Sequence, residues 1–86
     1  MRVKIYTTPT CGYCTMAKRF LDERSVKHEE HDVSQDRAAA EEMVSLTGQM
    51  GVPVIVIDGQ VILGFDRPRM EQLLAGNGGG QRVRFG

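Results

Sequence analysis

The sequence predicts an α/β domain in which a mixed four-stranded sheet is flanked by three helices. The order of hydrophobic patterns along the chain is strand, helix, strand, helix, hairpin, helix. A strand–helix–strand unit requires a parallel pair joined by a right-handed crossover, and a hairpin adds an antiparallel pair. Size is the third observation. Eighty-six residues that are 41% hydrophobic support one modest core, burying roughly 60–65% of the unfolded surface. Residues 1–75 carry these patterns. Residues 76–86 (GNGGGQRVRFG) hold five glycines without periodicity and read as a flexible tail.

Each element has its own signal. Val3-Lys4-Ile5-Tyr6 alternates as a short strand, and Thr7-Thr8-Pro9-Thr10 breaks it. From Gly12 to Arg24, Tyr13, Met16, Ala17, Phe20 and Leu21 recur at helical spacing, with Lys18, Arg19, Asp22 and Glu23 on the wet face. Thr10 or Cys11 falls in the cap region of this helix. His28-Glu29-Glu30-His31 reads as a polar edge strand. Ser34 is placed to cap a second helix, with Asp36 in its first turn. Ala39, Ala40, Met43, Val44 and Thr47 line one face of that helix, and Gly48 stops it. Val52-Pro53 leads into Val54-Ile55-Val56-Ile57. Asp58-Gly59 then turns the chain into Gln60-Val61-Ile62-Leu63, the strongest local signal in the sequence. Asp66-Arg67-Pro68 opens the last helix, striped by Met70, Leu73 and Leu74. The five methionines read as core filler.

Composition excludes several functions. Eleven basic residues balance eleven acidic ones, which argues against a nucleic-acid binder and against an acidic disordered segment. No apolar run approaches the ~20 residues needed to cross a bilayer, and no apolar stretch follows Met1-Arg2-Val3-Lys4. A soluble, cytoplasmic monomer is the expectation, with neither nucleic acid nor membrane as partner.

The chemistry concentrates at Cys11 and Cys14, the two cysteines of the chain. Two cysteines this close make no scaffold; in a reducing compartment they signal reactive sulfur. Thiol–disulfide exchange needs an accessible thiolate and a second thiol within reach of the mixed disulfide. Cys11 lies at a loop-to-helix junction, where free backbone N–H groups favour negative charge. Cys14, one turn later, shares a stripe with Ala17 and Leu21 and points inward. Cys11 is therefore expected to attack and Cys14 to resolve. Gly12, without a Cβ, admits a partner chain, and Tyr13 offers a flat contact beside it.

The segment Tyr6-Thr7-Thr8-Pro9-Thr10-Cys11-Gly12-Tyr13-Cys14 resembles the active-site segment of glutaredoxins. Thr47-Gly48-Gln49 with Gly51-Val52-Pro53 is similar to their second signature, and Gly64-Phe65-Asp66 sits where their third, glycine-containing turn lies. The resemblance spans residues 1–75. It implies a thioredoxin-like fold with strand order 2-1-3-4, and a cis Pro53 facing the cysteines. It also implies a glutathione or substrate site formed by Tyr13, Gln49, Val52, Pro53, Phe65 and Asp66, with the Val52 backbone pairing an extended chain. The implied activity is reduction of protein or glutathione-mixed disulfides, with no resident cofactor. Thr8 stands where glutathione-using members usually carry lysine, with Arg37 and Gln49 as partial compensation. Gly64-Phe65 before Arg67-Pro68 is more similar to the glutaredoxin-like electron donors of ribonucleotide reductase. Both glutathione and thioredoxin reductase thus stand as electron donors.

Three other readings compete with this one. The spacing Cys11-x2-Cys14-x13-His28-x2-His31 approaches a zinc-finger pattern, but its histidines are too close and the intervening segment is helical. No metal is expected there, and the histidines read as solvated strand residues. A two-iron, two-sulfur cluster shared between protomers through Cys11 is the alternative function. Lys18 and Arg19 either raise the local positive potential or simply form a solvated helix face.

Overall fold

A computed structural model of the chain describes residues 2–76. Its elements run β1 (Val3–Thr7), α1 (Gly12–Glu23), β2 (Glu29–Asp32), α2 (Arg37–Thr47), β3 (Val54–Ile57), β4 (Gln60–Leu63) and α3 (Arg67–Gly76). The residues read as a tail lie, apart from Gly76 at the end of α3, outside the described residues. The sheet order is β2-β1-β3-β4, the thioredoxin-like arrangement. β1 pairs parallel with β2, aligning Tyr6 with His31, and antiparallel with β3, aligning Tyr6 with Val54. β2 is an edge strand, as its polar sequence predicts.

Strand alternation divides the core between the two faces of the sheet. Val3, Ile5, Ile55, Ile57 and Ile62 pack against Ala17, Phe20 and Leu21 of α1 and Met70 of α3. Tyr6 and Val54 face Ala39 and Met43 of α2. The hairpin forms as read, with positive φ at both Asp58 (48°) and Gly59 (87°), the backbone that a right-twisted two-residue turn requires. The Asp58 side chain accepts the Arg2 N–H at 2.7 Å, fastening the start of β1 to this turn.

Several local expectations are corrected. Asp36, rather than Ser34, caps α2: its Oδ1 accepts the Ala39 N–H at 3.0 Å. Ser34 lies too early to reach the orphan amides and instead donates twice to Asp32. Gly48 ends α2 in the left-handed conformation, φ 78°. Only Met43 and Met70 fill the core among the described methionines; Met16 and Met50 are exposed, as is Val44. For Met16 and Val44 the reason is that α1 and α2 each bury a narrower stripe than their apolar positions span; Met50 lies in the turn after α2. His28 and His31 are half-buried rather than solvated. His28 precedes β2 and its Nδ1 meets the Val26 carbonyl at 2.9 Å, while the His31 ring stacks on Tyr6 at 5.6 Å. Among the described residues, no three potential metal ligands gather, and no helix is long and apolar enough to cross a membrane.

The Tyr6–Glu42 contact gives the fold a testable pH dependence. The buried Tyr6 hydroxyl donates to Glu42 Oε1 at 2.5 Å. Burial, followed by this bond, raises the phenol well above its ordinary value, and the same bond lowers the Glu42 carboxyl. A raised phenol stabilises the fold fully below the unfolded phenol value of about 10, and that contribution is lost as pH climbs beyond it. The lowered carboxyl contributes above the unfolded value of about 4.3 and fades as pH falls below it. Tyr6→Phe is therefore expected to flatten both limbs of the stability–pH curve in urea titrations. Unchanged limbs would contradict the assignment.

Candidate active site

Cys11 is the N-cap of α1, with extended backbone at φ −99° and ψ 112°. Its Sγ accepts the Cys14 N–H at 3.2 Å, so one of the orphan amides at the helix start points at this sulfur. Such a donor, reinforced by the helix dipole, stabilises negative charge on sulfur. The Cys11 thiol also points at the Val52 carbonyl, 3.9 Å away. The Val52–Pro53 peptide is cis, as the resemblance implies. Both cysteines are free thiols.

The two sulfurs differ in exposure. Cys11 is half-buried and lies at the surface end of the helix, whereas Cys14 is only 1% exposed. Burial pushes the Cys14 thiol up to about 12, and the hydrogen bond to Cys11 adds to the effect; the Thr8 backbone and the Lys18 charge pull the other way. Cys14 is thus a protonated thiol at neutral pH, held behind an accessible partner one turn earlier. This asymmetry matches the roles read from the helix stripe.

Beside the cysteines, Tyr13, Val52, Pro53, Phe65 and Asp66 line one groove of about 610 Å³. Five of the six expected binding residues are therefore brought together. Gln49 is not among them: it sits in the turn after α2, where its backbone carbonyl and N–H both meet the Thr47 hydroxyl. Asp66 lines the groove while its Oδ1 caps α3 through the Arg69 N–H. Phe65 is shared between groove and core, meeting Phe20 edge-on at 6.0 Å. Tyr13 is 64% exposed and is a rim residue rather than core. Arg37 pairs with Glu41 on its own helix.

Leu63 and Arg67 also line the groove, and sequence reasoning assigned them only to a strand and a helix start. Their lining role comes from the positive-φ turn at Gly64 (76°), which folds the end of β4 back towards α3. Lys18 is more than a solvated residue of the α1 face. It donates to Glu30 on β2 at 2.9 Å, and the Thr7 hydroxyl donates to the same oxygen at 2.9 Å. A second hollow, about 330 Å³, lies between Leu46 of α2 and Val56 of β3 beside Arg2 and Asp58. Neither cysteine lines it.

Comparison with known proteins agrees with this geometry. The Glutaredoxin family model matches residues 3–62. A glutaredoxin-like protein of 8.6 kDa from the rubredoxin operon of Clostridium pasteurianum is 42% identical over 72 residues, covering 84% of this chain and 96% of that protein. Glutaredoxin 3 of Escherichia coli is 42% identical over 64 residues, covering 74% of this chain and 77% of its own length. Among solved structures, the glutaredoxin-like protein NrdH-redoxin of Escherichia coli superposes with a TM-score of 0.72 at 33% identity, covering 81% of this chain and 90% of its own. With its Cys11–Cys14 pair at the head of α1 in a thioredoxin-like sheet, the chain belongs to the glutaredoxin family.

Proposed function

We propose that the protein is a dithiol oxidoreductase that reduces protein or glutathione-mixed disulfides. The observation that carries this reading is the pairing of an accessible N-cap sulfur with a buried thiol one turn later. Cys11 thiolate attacks a substrate disulfide, forming the Cys11–substrate bond and releasing one substrate sulfur as a thiolate. Cys14 then attacks the Cys11 sulfur, releasing the second substrate thiol and leaving a Cys11–Cys14 disulfide. A reductant reopens that bond. Two electrons pass from the cysteine pair to the substrate.

The first step prepares the second. Two of the influences that hold the Cys14 proton are the hydrogen bond to Cys11 and the Cys11 charge. Both disappear once Cys11 is a neutral disulfide sulfur, and Cys14 then loses its proton more readily. Tyr13, Val52, Pro53, Phe65 and Asp66 form the docking groove for the substrate chain, with Val52 offering its backbone. Two free thiols suit a reducing cytoplasm, and the protein works as a monomer without a resident cofactor.

The electron donor is glutathione or thioredoxin reductase, and turnover of a protein disulfide with each supply in parallel distinguishes them. Turnover with glutathione and glutathione reductase alone assigns the groove to glutathione despite Thr8. Turnover with NADPH and thioredoxin reductase alone makes Val52 and Phe65 protein-contact residues. No turnover with either contradicts the proposal. In that case a coloured, Cys11-dependent dimer after anaerobic reconstitution with iron and sulfide would support the cluster-holding alternative. A Cβ at Gly12 would meet nothing within 4 Å, so a second chain has room to approach.

A further inference from the structure

We infer that Lys18, anchored by Glu30, is a positioning residue for the resolving step, stabilising the Cys14 thiolate as it attacks the mixed disulfide. The inference rests on the dithiol reading above and goes beyond it by assigning a third residue to one of its two steps.

The argument begins with helix geometry. Lys18 follows Cys14 by four residues on α1, so the two side chains rise from the same face, one turn apart. An ordinary surface lysine would sweep through solvent at that position. Here its Nζ is fixed on Glu30 Oε2 at 2.9 Å, and only 33% of its side chain is exposed. Glu30 is itself held: the hydroxyl of Thr7, a residue 1% exposed, donates to the same carboxylate oxygen. Three elements, α1, β1 and β2, thus fix the ammonium group of the residue one helical turn beyond the buried thiol. Its charge acts on the Cys14 sulfur in the direction that favours the thiolate.

Chemistry gives this charge a selective role. The resolving step is Cys14–SH plus Cys11–S–S–R giving Cys11–S–S–Cys14 plus R–SH. The Cys14–Cys11 bond forms, the Cys11–R bond breaks, and the electron pair leaves on the substrate sulfur. The proton shed by Cys14 is regained, through solvent, by that departing thiolate. Burial opposes the thiolate throughout, while the Cys11 contributions are gone at this stage. Lys18 is then a cation whose charge favours ionisation of Cys14. The other charged groups around Lys18 are Arg19, Asp22 and Glu23 on α1, His28 before β2, and Glu30 on β2. Cys11, which attacks a substrate docked in the groove, has its own backbone donor in the Cys14 N–H.

The test is stopped-flow mixing of the full chain with dithiodipyridine, a neutral disulfide on which Lys18 exerts no long-range steering. Attack by Cys11 releases one thiopyridone and resolution by Cys14 releases a second, so the two steps appear as separate phases. Lys18→Met keeps the aliphatic stem and removes the charge. It is expected to leave the first phase unchanged and slow the second by about three- to tenfold near neutral pH. The rate–pH curve of the second phase should move to higher pH, and Lys18→Arg should restore both. An unchanged second phase and pH curve in Lys18→Met would overturn the inference, and so would equal slowing of both phases. A wild-type protein that releases a single equivalent would overturn the dithiol reading itself, and this inference with it.

Discussion

Cys11→Ser is expected to lower disulfide reduction by at least about a thousandfold while leaving the fold intact. Serine keeps an oxygen in place of sulfur and is itself a preferred N-cap. The Cys14 N–H therefore retains an acceptor, and α1 loses nothing at its start. An alcohol does not ionise at neutral pH and does not exchange with disulfides, so the chemistry stops at once. Cys14 offers no substitute, because it is 1% exposed and its thiol is pushed up to about 12. Cys14→Ser behaves differently: Cys11 still attacks, and the mixed disulfide accumulates until an external thiol opens it. The paired outcomes, read as turnover and as intact mass, separate the two roles. Residual activity in Cys11→Ser above about one part in a hundred would place the attacking sulfur elsewhere.

Leu21→Ala should be the most damaging substitution outside the site. Leu21 is fully buried among α1, the sheet and α3, and it lies on the same stripe that carries Cys14 inward. Truncating a buried leucine costs about 2–5 kcal/mol, the loss of transfer free energy being compounded by the cavity left behind. A domain this small has only about 5 kcal/mol or a little more to lose, so most of its stability is at stake. Urea unfolding should show a midpoint lowered by a large fraction of its wild-type value, with the slope unchanged. A loss below about 1 kcal/mol would mean that the face is less tightly packed than its zero exposure implies. Because α1 carries Cys14 and is capped by Cys11, the variant should also lose the difference in thiol accessibility before it unfolds globally.

The hairpin, the Gly48 stop and the placement of Cys11 at a helix start were all legible because each depends on local chemistry. Asp58-Gly59 accepts positive φ, Gly48 ends a helix without steric cost, and Thr7-Thr8-Pro9-Thr10 cannot continue a strand. The inward turn of Cys14 was also readable, since it follows from helical spacing. What periodicity overstates is the width of a buried face. Tyr13 and Met16 share the apolar side of α1, yet both lie on its exposed flank, Tyr13 lining the groove and Met16 a separate hollow with Arg19 and Glu23. The Ser34 cap fails for a related reason: both Ser34 and Asp36 are good caps, and only the chain path after β2 decides between them. Leu63 and Arg67 joined the site through a turn at Gly64 whose direction no local pattern dictates. The Lys18–Glu30–Thr7 contact joins three elements and exists only once the sheet is assembled. Long-range polar contacts of this kind are where sequence reasoning stops.

Pulse alkylation of the reduced protein near neutral pH tests the central claim most directly. The protein is exposed briefly to a limiting amount of an alkylating agent, and the label is located by tandem mass spectrometry. An accessible N-cap sulfur with a backbone donor, in front of a buried thiol held at about 12, predicts label on Cys11 with Cys14 unmodified. Label on Cys14, or equal label on both, would contradict the assignment of attacking and resolving roles.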